Sequence, residues 1–95
     1  MIIVSQDRKM FVNFNSIVSV YVIKNYISEE EGYKGYNIDF ATNEEINFVL
    51  ATFDTEERAK EVLQEIVSKY KVTLYNSKTN ETVVNVPKVY EMTKK

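Results

Sequence analysis

The first half of the chain alternates apolar and polar positions, and the second half changes period. Ile2–Val4 is a short apolar run, followed by Ser5-Gln6-Asp7-Arg8, which reads as a turn. Lys9–Phe14 then alternates, with Met10, Val12 and Phe14 on one face, so the two segments predict a hairpin. Ile17–Ile23 is β-branched or aromatic almost throughout: Val18, Val20 and Val22 share one face, and Ile17, Tyr21 and Ile23 the other. A strand apolar on both faces is expected to be central or covered on both sides. Ser28-Glu29-Glu30-Glu31-Gly32 reads as an acidic loop. Tyr33–Ala41 places Tyr36, Ile38 and Phe40 inward and Asn37 and Asp39 outward. After Thr42-Asn43-Glu44-Glu45 the chain returns as Ile46–Phe53, with Ile46, Phe48 and Leu50 on one face. Residues 33–53 are the clearest hairpin in the sequence.

Ala59, Val62, Leu63, Ile66, Val67 and Tyr70 then recur at spacings of three and four, the apolar stripe of a helix over about residues 55–70. Asp54 fits its N-cap, with Glu57 three residues on as a capping-box partner. Lys71–Tyr75 and Thr82–Val86 are β-like and are separated by Asn76-Ser77-Lys78-Thr79-Asn80, which predicts a second hairpin. Pro87 belongs at a strand end or sheet edge. The expected fold is therefore α+β in one domain spanning residues 1–95. A five-stranded antiparallel meander (1–53) carries a helix packed on the sheet (54–70), then a C-terminal hairpin (71–92) and a frayed tail (93–95).

Composition narrows the chemistry more than the fold. The chain has 95 residues, 44% of them hydrophobic, enough for one core and little else. Cysteine and histidine are both absent, which removes thiolates, disulfides, the commonest general base and the commonest metal ligand. No run approaches the ~20 apolar residues of a membrane helix, and Met1-Ile2-Ile3-Val4 is too short for a signal-peptide core, so a cytoplasmic location is expected. Net charge is −2, unevenly spread: residues 1–57 hold four basic and ten acidic side chains, and residues 58–95 hold eight and four. Such a division can steer partners.

The segments "MIIVSQDRKMFVNFNSIVSVYV", "FDTEERAKEVLQEIVSKY" and "KVYEM" resemble a group of uncharacterised small proteins of low-GC Gram-positive bacteria and their phages. The shared features are an "SQD" turn, a strand meander and a "TEERAKEVL" helix, and they cover about half the chain. These are structural motifs and imply no catalytic or ligand-binding residue. A curved sheet closed at one end by an amphipathic helix is also the outline of pleckstrin-homology-like domains.

Candidate sites are few. The polar tip Gln6, Asp7, Arg8 and Lys9 reads as a solvated turn. Glu29-Glu30-Glu31 lacks the alternate ligand spacing of a calcium loop. Asp39, Glu44, Glu45 and Asp54 form no evident catalytic pair, and no P-loop, nucleophile elbow or metalloprotease motif is present. No catalytic, metal or cofactor residues are assigned, and no small-molecule ligand or membrane contact is expected. The leading reading is a non-enzymatic protein–protein interaction module, self-association included, in keeping with a phage- or prophage-encoded modulator of a host protein. Its expected contact residues are Tyr21, Ile23, Val84 and Tyr90. The alternative is a nucleic-acid-binding domain that uses the basic C-terminal third through Lys69, Lys71, Tyr75, Lys78 and Lys88.

Overall fold

The structure, a computed structural model, describes residues 1–44, 47–78 and 89–95, with the backbone alone for 71–78. In chain order the elements are β1 (Ile2–Val4), β2 (Phe11–Asn13), a single 3-10 turn (Phe14–Ser16), β3 (Ser19–Ser28), β4 (Gly32–Ala41), β5 (Asn47–Phe53), α1 (Glu56–Lys78) and β6 (Val89–Glu91). The class is α+β, as the periodicities predict.

The five expected strands do not form one meander. With β6 they form two open three-stranded sheets, ordered β2-β1-β6 and β3-β4-β5. The break falls at Asn13, whose side chain accepts a hydrogen bond from the Asn15 N–H (3.0 Å) and turns the chain into the 3-10 segment. β1 then pairs antiparallel with β2 and parallel with β6, Ile3 standing opposite both Val12 and Tyr90. The single sheet assumed in the pleckstrin-homology-like outline is therefore not the arrangement seen.

In the second sheet β4 is central. β3, expected to be central or covered on both sides, is an edge strand of this sheet. Its valine face is the inner one: Val20 and Val22 pack on the core, while Val18 is 63% exposed. Glu29-Glu30-Glu31 connects β3 to β4, with Ser28 opposite Gly32. Gly32 takes φ +67°, the left-handed position that closes a three-residue hairpin loop.

α1 begins one residue later than the Asp54 cap implies. Thr55 is the N-cap: its Oγ1 accepts from the Arg58 N–H at 3.2 Å, and its carbonyl accepts from Ala59. The helix also runs on through Lys71–Tyr75, where a strand was expected. Val72, Thr73 and Tyr75 favour strands individually. However, Ile66, Tyr70 and Leu74 keep the four-residue spacing, and no glycine or proline stops the helix before Lys78. The second strand of the expected hairpin, Thr82–Val86, lies outside the described residues.

One core joins all these parts. Ala59, Val62 and Ile66 of α1 are fully buried against Ile38, Phe40, Leu50 and Phe53 of the β3-β4-β5 sheet and Ile3, Tyr90 and Met92 of the other. Burying each large aliphatic side chain contributes about 1.5–3 kcal/mol. Phe14 packs on Tyr70 of α1 with ring centroids 4.5 Å apart, tying the 3-10 turn to the helix.

Candidate interaction face

The inner face of the β3-β4-β5 sheet is committed to the core, so its outer face is defined by strand register. Ile23 stands opposite Asn37, and Asn37 opposite Thr52; Tyr21 stands opposite Asp39, and Asp39 opposite Val49; Ser19 stands opposite Ala41, and Ala41 opposite Asn47. Side chains opposite one another in such rows lie roughly 5 Å apart at Cβ.

Asn37 and Thr52 of the first row form a polar ladder with Asn25 of β3. Thr52 Oγ1 donates to Asn37 Oδ1 at 2.7 Å, and Asn37 Nδ2 donates to Asn25 Oδ1 at 3.1 Å. Asn37 is buried by its neighbours even though it points away from the core.

The second row is different. Asp39 sits between Tyr21 and Val49, and its Oδ1 is buried with no hydrogen-bond partner, alone in this among side-chain atoms of the described residues. Burial raises its carboxyl pKa above the ordinary 3.8, because a desolvated carboxylate is disfavoured. Tyr21 is the one other titratable side chain in the three rows, and they contain no cation. The neighbours of Asp39 in its own row and Ile23 are apolar or aromatic (Ile23 is 46% exposed, Val49 48%, and Tyr21 half-buried), while Asn37, Thr52, Ser19 and Asn47 make the flanking rows largely polar.

The bulge in β5 sets this geometry. Ile38 pairs with Ala51 but Asp39 with Val49, so Leu50 is the extra residue. Leu50 and Ala51 both turn inward, and Val49 is left outward beside Asp39. Alternation placed Phe48 and Leu50 on one face, and both lie on the inner side, Phe48 partly exposed and stacked on Phe40 at 5.2 Å; the bulge adds Ala51 to that side.

The polar tip is a turn with Asp7, Arg8 and Lys9 exposed, as expected, and through Gln6 and Arg8 it is also a clamp. The Gln6 N–H donates to the Leu50 carbonyl at 2.8 Å. Its side chain pairs with Thr52 as a neighbouring strand would, Nε2 donating to the Thr52 carbonyl (3.0 Å) and Oε1 accepting from the Thr52 N–H (2.9 Å). Nε2 also reaches the carbonyls of Thr93 and Lys94, both at 3.1 Å. Arg8, with φ +63°, donates from Nη1 to the Met92 carbonyl at 2.8 Å, and its Nη2 lies 3.8 Å from Glu91. Within the turn, the Ser5 hydroxyl and the Lys9 N–H both donate to Asp7 Oδ1, holding that carboxyl below its ordinary pKa. Arg58 Nε binds the Lys95 carbonyl at 2.9 Å. The expected frayed tail 93–95 is therefore tied down by Gln6 and Arg58.

Of the expected contact residues, Tyr21 and Ile23 come together on the outer face. Tyr90 does not. It is 7% exposed in the core, and burial, then Glu65, push its hydroxyl pKa up to about 12. The alternation at Val89–Glu91 sends Tyr90 inward alongside Ile3, which the short apolar C-terminus did not reveal. Val84 and Lys88 lie outside the described residues. Lys69, Lys71, Tyr75 and Lys78 fall on α1 and not on a hairpin. No described helix is long and apolar enough to cross a membrane.

No family model, curated protein or solved structure matches the chain. Function is therefore read from geometry.

Asp39→Asn tests the electrostatics of the face. Removing the charge is expected to raise stability at pH 7 by about 1 kcal/mol or less, reduced by the partial exposure of the site. Because the folded pKa lies above 3.8, the penalty in the native protein is full above the folded pKa. It fades as pH falls through that value and is gone below 3.8. The difference in Tm between variant and wild type, followed from neutral pH into acid, should shrink accordingly; a constant difference would show that the carboxylate is not the cause.

Proposed function

We propose that the protein is a non-enzymatic protein–protein interaction module that docks through the outer face of the β3-β4-β5 sheet. The observation that carries this reading is the cluster of Tyr21, Ile23 and Val49 around Asp39, whose buried Oδ1 has no hydrogen-bond partner among the described residues, on a sheet face turned away from the core. Exposed apolar side chains gathered on one face are the usual mark of a partner surface.

The face is favoured over the free edge of β3. That edge carries Lys24 and two register shifts, at Lys24/Tyr26 and Tyr26/Ser28, features that blunt an edge against strand addition. A second apolar patch lies on the outer face of the other sheet, where Phe11 is 74% and Val89 58% exposed. Its nearest guanidinium, Arg8, is already engaged by Met92 and Glu91, so no unmet polar group there specifies a partner.

The test is a tagged pull-down from a low-GC Gram-positive lysate, with and without nuclease, comparing wild type with Tyr21→Ser/Ile23→Ser. Wild type should retain a stoichiometric protein after nuclease, and the double variant, folded by circular dichroism, should lose it. Capture unchanged in the double variant would sink the reading. Capture that vanishes with nuclease and falls steeply with salt would transfer it to nucleic acid.

A further inference from the structure

The centre of the face specifies what a partner must bring. Asp39 has an apolar neighbour on β5 (Val49), an aromatic one on β3 (Tyr21), and no counter-ion in its own row or in the rows on either side. Asn25, Asn37 and Thr52 spend their side-chain hydrogen bonds on one another. Among the described residues nothing donates to Asp39 Oδ1, a buried acceptor. Leaving such a group unmet costs free energy in the isolated protein; a partner's donor meets the carboxyl at its other oxygen, because Oδ1 itself has no accessible surface.

Three features of the site select the donor. A carboxylate asks for a cation or a strong N–H donor. An aromatic ring beside it suits a planar guanidinium, which stacks on a ring while its N–H groups point at an acid. The apolar side chains of Ile23 and Val49 suit the aliphatic stem of a long basic residue. The half of the chain that builds this face is also the acidic half, residues 1–57 holding ten acidic against four basic side chains.

We propose that the outer face of the β3-β4-β5 sheet binds a protein partner that seats an arginine side chain on Asp39, between Tyr21 and Val49. This rests on the interaction-module reading above and adds the chemistry of the partner. The raised carboxyl pKa agrees with it: burial already disfavours the bare carboxylate, and an arriving guanidinium would return the pKa toward or below its ordinary value.

The probe is the capped tripeptide acetyl-Val-Arg-Val-amide, titrated into the full chain and followed by carboxyl-carbon and amide NMR. Its controls carry citrulline or glutamate in place of arginine. Saturable shifts of the Asp39 carboxyl and of the Tyr21 and Val49 amides are expected, with a fall in the Asp39 pKa. At least tenfold weaker binding is expected for the citrulline peptide and for Asp39→Asn. An unmoved Asp39 carboxyl, equal binding of the citrulline peptide, or a free-protein pKa already at or below 3.8 would overturn the proposal. The pull-down separates the two failures. If Asp39→Asn still captures the partner that Tyr21→Ser/Ile23→Ser loses, the face is an interface but arginine is not its key.

Discussion

Gly35→Ala is expected to cost about 3 kcal/mol or more, a large part of the stability of a domain this size. Two effects combine. Gly35 has φ +76°, a conformation that costs an ordinary L-residue about 1–2 kcal/mol. A Cβ built there would also stand 2.7 Å from the Phe53 carbonyl oxygen, closer than real contacts allow. That oxygen cannot retreat cheaply. Phe53 pairs with Tyr36 in the β4–β5 ladder, and its ring is 3% exposed in the core. Gly32→Ala is the internal control: its φ is +67°, but nothing lies within 4 Å of its Cβ position. It should lose only the backbone cost, on the order of 1 kcal/mol. Urea unfolding followed by far-UV circular dichroism measures both. Equal losses in the two variants would mean that the close approach at Phe53 is not what requires glycine at position 35.

Much of this fold can be read from the chain wherever one local rule governs. The alternation in Tyr33–Ala41 correctly sends Ile38 and Phe40 inward and Asn37 and Asp39 outward, because β4 is regular from Tyr36 to Ala41 and has one face on the core. The same rule fails in β5, where a bulge at Leu50 puts two successive residues inward; an extra residue in a ladder has no signature in alternation. The helix was legible to Tyr70, and its continuation was masked by residues whose individual preference is for strands. The division into two sheets was not legible. The parallel pairing of Ile2–Val4 with Val89–Glu91 joins opposite ends of the chain, and neither three-residue segment announces its partner.

The candidate site follows the same division. Tyr21 and Ile23 were recognisable as surplus apolar residues on a strand. Asp39 looked like any outward polar residue. Its distinction is its place opposite Tyr21 and Val49, and that exists only once the strands are in register. Gln6 was hidden for a related reason: a glutamine in a turn is ordinarily solvated, and its value depends on what the fold brings to it.

That value sets the second large effect. Gln6→Ala removes a side chain whose one amide group joins the edge of β5 to the C-terminal segment. Its two Nε2 hydrogens are shared among three carbonyls, and two of those three bonds are exposed, so water replaces part of what is lost. The expected cost is about 1–2 kcal/mol, less than four independent hydrogen bonds would give. Gln6→Glu, nearly the same shape, should cost more at pH 7. Its carboxylate can still accept from the Thr52 N–H, but it turns a second negative oxygen on the carbonyls of Thr52, Thr93 and Lys94. That repulsion raises the folded pKa of the introduced carboxyl. The excess cost over Gln6→Ala should therefore be full above that pKa and disappear as pH falls below about 4.3, where the protonated group can donate again. Hydrogen exchange supplies the local readout. In both variants the Thr52 and Met92 amides should exchange faster than in the wild type, while those of Val62 and Ile66 inside α1 move only with global stability. If Gln6→Glu matched Gln6→Ala at neutral pH, or if the Thr52 amide kept its protection in both, Gln6 would not be what fastens the two ends of the chain to the sheet.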